Sequence, residues 1–118
     1  MGVSMGVGME MIEKVVKSMT DKDYEALVSY FSEDCVFFDY CPSQNGKSNG
    51  YVYGRPAMEM HFRKMFVSVG LVVAEPVIEG EKSANFFITY DGPFVYARLS
   101  IEEYDSSGLI KKAVVHPI

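Results

Sequence analysis

Apolar residues recur along this chain with two periods, and the change from one to the other divides it. Met11, Ile12, Val15, Val16 and Met19 share one helical face, which predicts an amphipathic helix over 9–19. Thr20, with Asp23 three residues later, has the spacing of an N-terminal cap. Tyr24, Leu27, Val28 and Phe31 then repeat the helical spacing and predict a second helix over 22–31. Ser32-Glu33-Asp34 interrupts the pattern. Cys35 to Tyr40 reads as an apolar strand that carries one carboxylate, Asp39, and Tyr51-Val52-Tyr53 as a second, short strand. Between them, Pro42 to Gly50 holds two Asn-Gly pairs, which is turn chemistry and predicts a mobile loop. Gly54-Arg55-Pro56 opens a third helix, because proline suits the first turn, where its missing N–H is not needed. Met58, Phe62, Met65, Phe66 and Val69 form its apolar stripe, with Gly70 as the C-terminal cap.

From Leu71 onward the period is two. Strands are predicted over 71–78, 83–90, 94–104 and 109–116, separated by Glu79-Gly80-Glu81, Asp91-Gly92-Pro93 and Asp105-Ser106-Ser107-Gly108. Turns this short imply an antiparallel meander. Three helices followed by a long sheet make an α+β domain, whose curved sheet buries its inner face by wrapping around the helices. The predicted organisation is a flexible leader over 1–8 and one domain over 9–118.

Composition narrows the functional classes. The 118 residues are 48% hydrophobic and 14% aromatic, enough for one core. Sixteen acidic against eleven basic residues give a net charge of -5, and no basic run exceeds a pair, which argues against nucleic acid and anionic membrane as partners. No apolar run approaches the roughly twenty residues of a membrane span. Met1 to Gly8 has neither the basic start nor the apolar centre of a signal peptide. Cys35 and Cys41 do not make a metal set, and on one extended segment they lie too far apart to bridge. Reduced thiols in a cytoplasmic protein are the simplest reading.

The element order, the Asp21-Lys22-Asp23-Tyr24 segment, the strand ending in Asp39, the Tyr53-Gly54-Arg55-Pro56 entry to the third helix and the closing Ser106-Ser107-Gly108-Leu109-Ile110-Lys111-Lys112 together resemble the nuclear transport factor 2-like superfamily. Within it the chain is most similar to the SnoaL-like polyketide cyclases and ketosteroid isomerases. The resemblance covers nearly all of 9–117. It implies a cone: a bent, mixed sheet closed by helices around an apolar pocket, often dimerised through the sheet's outer face. It places Asp39 where the isomerases keep a proton-moving carboxylate, and His61 at a pocket position. In relatives such as the scytalone dehydratases, a His and Asp pair does acid-base work. The isomerase's oxyanion-donor tyrosine is replaced here by Val15, and its protonated carboxylic acid by Ser100, so the donors that stabilise a developing oxyanion are missing.

The residues themselves leave alternatives open. Asp39 reads either as a general base in a dry pocket or as a strand-end carboxylate capping the following loop. His61 borders the apolar stripe of the third helix and reads either as Asp39's proton-transfer partner or as structural. Val15, Met19, Phe37, Tyr53, Phe62, Met65 and Ser100 are candidate pocket residues, and an aromatic and methionine stripe also reads as plain core. On the strand 94–104, Val95, Ala97, Leu99 and Ile101 alternate with Tyr96, Arg98, Ser100 and Glu102. The resemblance turns Ser100 inward and leaves the aliphatic side to a homodimer through the sheet; alternation alone puts the aliphatic side on the helices. His116 reads as exposed. The expected function is binding of an apolar or aromatic small molecule, with isomerisation, dehydration or cyclisation by Asp39 and His61 and no metal or organic cofactor. A non-catalytic dimeric ligand-binding or protein-interaction domain is the alternative.

Overall fold

A computed structural model describes residues 10–118; the predicted leader 1–8 lies outside the described residues. The elements are α1 (Met11–Thr20), α2 (Tyr24–Ser29), β1 (Phe31–Asp39), β2 (Gly50–Tyr53), α3 (Arg55–Lys64), β3 (Leu71–Ile78), β4 (Ser83–Tyr90), β5 (Val95–Tyr104) and β6 (Ile110–Pro117). One six-stranded sheet has the order β2-β1-β6-β5-β4-β3, with β1 and β6 parallel and all other pairs antiparallel. This is the mixed α+β architecture that the switch of period predicts. Among the described residues no helix is long and apolar enough to cross a membrane.

Local chemistry accounts for the boundaries. The backbone N–H of Glu10 donates to Glu13 Oε1 at 3.0 Å and holds the first turn of α1. Asp23 caps α2 by accepting the Ala26 N–H at 3.1 Å, whereas the Thr20 hydroxyl donates backwards to Lys17 O, so Thr20 closes α1 and caps nothing. Ser32-Glu33-Asp34 lies inside β1. Phe31 pairs with Ile110, and the shift of register between Phe31 and Val36 is where the polar triplet is absorbed. Arg55 ties this bulge to α3, its Nε donating to Phe31 O at 3.0 Å and its Nη2 to the same oxygen. Beyond Lys64, α3 continues as a π-helical turn, Met65–Val69, and stops at Gly70, whose φ of 86° is cheap only for glycine.

Helices and sheet share one buried core. Ile12, Val15 and Met19 of α1, Leu27 of α2 and Phe62 of α3 meet Phe37, Phe86, Ile88, Leu99 and Val115 of the sheet in one buried cluster. Val15, Met19, Phe37 and Phe62, expected to line a pocket, are therefore packed side chains; Phe37 and Phe62 stack edge to face at 5.0 Å.

β5 settles which side faces in. Ala97, Leu99 and Ile101 are buried, and Ser100 lies on the opposite, outer face, so the inward position implied for Ser100 is corrected. Burial of the aliphatic side against the helices outweighs any gain from turning a hydroxyl inward. It also removes the reason first given for a sheet dimer. His116, expected to be exposed, is partly buried, with Nδ1 3.1 Å from Pro117 O.

Candidate functional site

β1 delivers Asp39 to the inner face of the sheet at the strand's end, where it is 3% exposed. Its carboxylate is fully engaged. Oδ2 accepts a hydrogen bond from the Tyr90 hydroxyl, and Oδ1 accepts the Cys41 backbone N–H at 3.0 Å. Burial raises the Asp39 pKa above the ordinary carboxylate range, and these donors pull it partly back. Burial, together with the neighbouring carboxylate, pushes both the Tyr90 phenol and the Cys41 thiol upward, so both keep their protons.

Tyr90 is the residue that sequence reasoning missed. It ends the inward set Ala84, Phe86, Ile88 and Tyr90 of β4, all buried, so the period-two pattern already marks it as an inward aromatic. A buried phenol needs a partner, and the sequence alone does not say which.

The predicted mobile loop after β1 is tied down instead. It forms a short 3-10 turn, Pro42–Asn45. Asn49 Oδ1 accepts the Ser43 N–H at 3.0 Å, Asn45 Nδ2 donates to Pro93 O at 3.2 Å, and Lys47 Nζ donates to Tyr90 O. Asp39 thus does cap this segment through Cys41, as the structural reading of the carboxylate requires.

The loop and the π-helical turn enclose a crevice of about 180 Å³ lined by Pro42, Lys47, Ser48, Lys64, Met65, Val69 and Tyr90. Met65 is the one expected pocket residue found here. Asp39 does not line the crevice and meets it only through Tyr90. Tyr53, on the outer face of β2, and His61, on α3, line a second groove of about 460 Å³ with Tyr51, Val52, Ala57, Met60 and Lys64, the last shared with the crevice.

Asp39 and His61 come close without bonding. A Cβ on Gly50 would stand 3.6 Å from Asp39 Cβ and 3.7 Å from His61 Nε2, so both side chains border the same open side of the glycine. Burial lowers the His61 pKa, and the Lys64 charge lowers it further, which favours a neutral imidazole. Cys35 and Cys41 are both buried and unbridged, Cys35 Sγ lying 3.3 Å from Met58 Sδ. Among the described residues no group of three or more His, Cys, Asp or Glu side chains is placed to hold a metal ion.

No family model and no curated sequence matches the chain. Solved structures do. A SnoaL-like protein of unknown function from Burkholderia thailandensis is 14% identical, with a TM-score of 0.57 over 90% of this chain and 89% of that one. An NTF2-like protein of unknown function from Cytophaga hutchinsonii is 17% identical, with a TM-score of 0.57 over 91% and 86%. The Orange Carotenoid Protein of Anabaena (Nostoc) sp. PCC 7120, solved binding canthaxanthin, is 15% identical, with a TM-score of 0.61 over 97% of this chain but only 38% of that protein. The chain has the nuclear transport factor 2-like, SnoaL-like fold, in the cystatin-like manner of these structures.

Proposed function

We propose that the protein binds a small apolar molecule in the crevice over Tyr90, with the buried Asp39 holding the Tyr90 hydroxyl in place. The observation that carries this reading is the hydrogen bond from a crevice-lining phenol to a carboxylate nearly removed from water. The bond fixes the Tyr90 ring beside Met65 and Val69, and Lys47, Ser48 and Lys64 add polar groups to the lining, so the crevice offers orientation as well as apolar contact. The volume suits a single ring. That a structural neighbour was solved with a carotenoid supports small-molecule binding as a use of this fold.

Phenol is the probe. In the isotopically labelled protein, titration should shift the amides of Lys47, Ser48, Val69 and Tyr90 saturably, and Tyr90→Phe should weaken the effect. Shifts scattered over the surface, or none, would remove the reading.

A second reading, proton transfer by Asp39 and His61, is favoured by their common flank on Gly50. Double-bond migration in 3-cyclohexenone, from β,γ to α,β, is the simplest assay; a rate equal to buffer at neutral pH argues against it.

The outer face of the sheet supports self-association for a new reason. Phe38 lies 6.4 Å from Tyr40 and 5.7 Å from both Tyr51 and Tyr53, and Phe87 lies 4.9 Å from Tyr96. Such rows of partly exposed rings fit a homodimer through the sheet. Light scattering that reports a monomer at micromolar concentration would exclude it.

A further inference from the structure

The sheet ends differently on its two sides. At the β3 edge, Glu75 adopts a positive φ of 53°, Pro76 follows, and the register with β4 shifts between Ala74 and Val77. A bulge and a proline are devices that stop an edge from pairing with another strand. The β2 edge, Gly50-Tyr51-Val52-Tyr53, has no proline, charge or bulge.

Its free hydrogen-bonding groups can be assigned. Gly54 N–H donates to Cys35 O at 2.7 Å, and the register pairs Val52 with Phe37 and Gly50 with Asp39. In an antiparallel ladder, bonded and unbonded pairs alternate. Tyr51 and Tyr53 therefore direct their N–H and C=O groups away from β1, toward the open edge.

Beside that edge runs a helix stripe in which Ala57, Met60 and Lys64 are exposed and His61 is partly buried. Ala57, Met60, His61 and Lys64 are spaced i, i+3, i+4 and i+7 on α3, and with Tyr51, Val52 and Tyr53 they line the 460 Å³ groove. Met60 is 74% exposed and Tyr53 64%. No acidic side chain lines the groove, and among the described residues Lys64 makes no ion pair, in a protein of net charge -5.

We propose that the groove between β2 and α3 is a docking site for an extended partner segment, which adds as a strand to β2. The segment presents apolar side chains at alternate positions to Ala57 and Met60 and an acidic side chain to Lys64. Pairing to Tyr51 and Tyr53 supplies affinity for any extended backbone, and the helix stripe supplies selectivity. α3 runs back from Gly54, so Lys64 stands at the Gly50 end of β2 and the acidic residue must lie at that end of the segment. This site adjoins the crevice over Tyr90 at Lys64, which lines both.

The test uses the full chain, isotopically labelled, and a capped peptide of sequence Thr-Val-Thr-Val-Thr-Glu. Saturable shifts at Tyr51, Tyr53 and Met60, with slowed exchange of the Tyr51 and Tyr53 amides, are expected. Replacing the glutamate by glutamine should weaken binding about threefold, and Lys64→Gln in the protein should abolish that difference. A peptide copy N-methylated at every inner residue should not bind. The proposal is overturned if the methylated copy binds equally well, if shifts fall elsewhere, or if both tyrosine amides are already protected in the free protein. The last result would mean that another part of the chain or a second copy covers the edge.

Discussion

The Tyr90 hydroxyl and the Asp39 carboxylate, fifty-one residues apart in sequence, are hydrogen-bonded to each other inside the protein, joining the end of β4 to the end of β1. Strands β6 and β5 separate the two in the sheet. The bond therefore spans the concave face.

Removing the phenol should be costly. Tyr90→Phe keeps the ring and deletes the donor, leaving a buried carboxylate oxygen without its partner, for an expected loss of about 1–3 kcal/mol at neutral pH. Urea unfolding checks it. The loss should shrink in acid, where Asp39 takes up a proton and no longer needs a donor.

Asp39 sets a pH dependence of definite sign. Its folded pKa is raised from 3.8, so the stability it contributes is complete below that value and is lost as pH rises through the folded pKa. Asp39→Asn still accepts from Tyr90 but does not titrate. Melting temperatures followed upward from about pH 4 should fall more for the parent than for the variant. Parallel curves would show that Asp39 is not desolvated.

His61 gives the opposite sign. Its pKa is lowered from 6.5, so its contribution is present above that value and is lost as pH falls through the folded pKa. A proton-detected titration should place the His61 midpoint below 6.5, and Lys64→Gln should move it upward but not all the way, because burial is the larger cause. A midpoint that Lys64→Gln returned fully to 6.5 would contradict this ordering, and an unmoved one would show that the Lys64 charge contributes nothing.

Arg55 offers a stability test away from the crevice. Arg55→Met removes both donors to Phe31 O, in a residue that is fully buried, and should cost about 1–3 kcal/mol. Calorimetry checks it.

The legible parts of the fold were those with a period. Every strand from Leu71 onward follows from alternation and turn residues, and α1 follows from its apolar stripe. The failures have local causes. Ser32-Glu33-Asp34 looks like a break because a bulge absorbs polar residues without ending a strand. The π-helical turn at Met65–Val69 is invisible because its apolar residues continue the stripe of α3. For the site, a lone carboxylate in an apolar strand singled out Asp39, but its partners could not be found that way. Tyr90 reaches it through tertiary closure, and Cys41 through a two-residue backbone reversal.

The sheet order has a consequence for how the protein is made. Strands β2 and β1 connect to β5, β4 and β3 only through β6, which follows them all in sequence. During synthesis, neither half of the sheet can join the other until Ile110 to Pro117 have emerged. Until then β1, with Phe37 and Asp39, has an open edge. Closure of the sheet thus waits for its last strand, through the long-range parallel pairing of β1 with β6. A chain interrupted before Ile110 would lose the strand that makes its two halves one sheet.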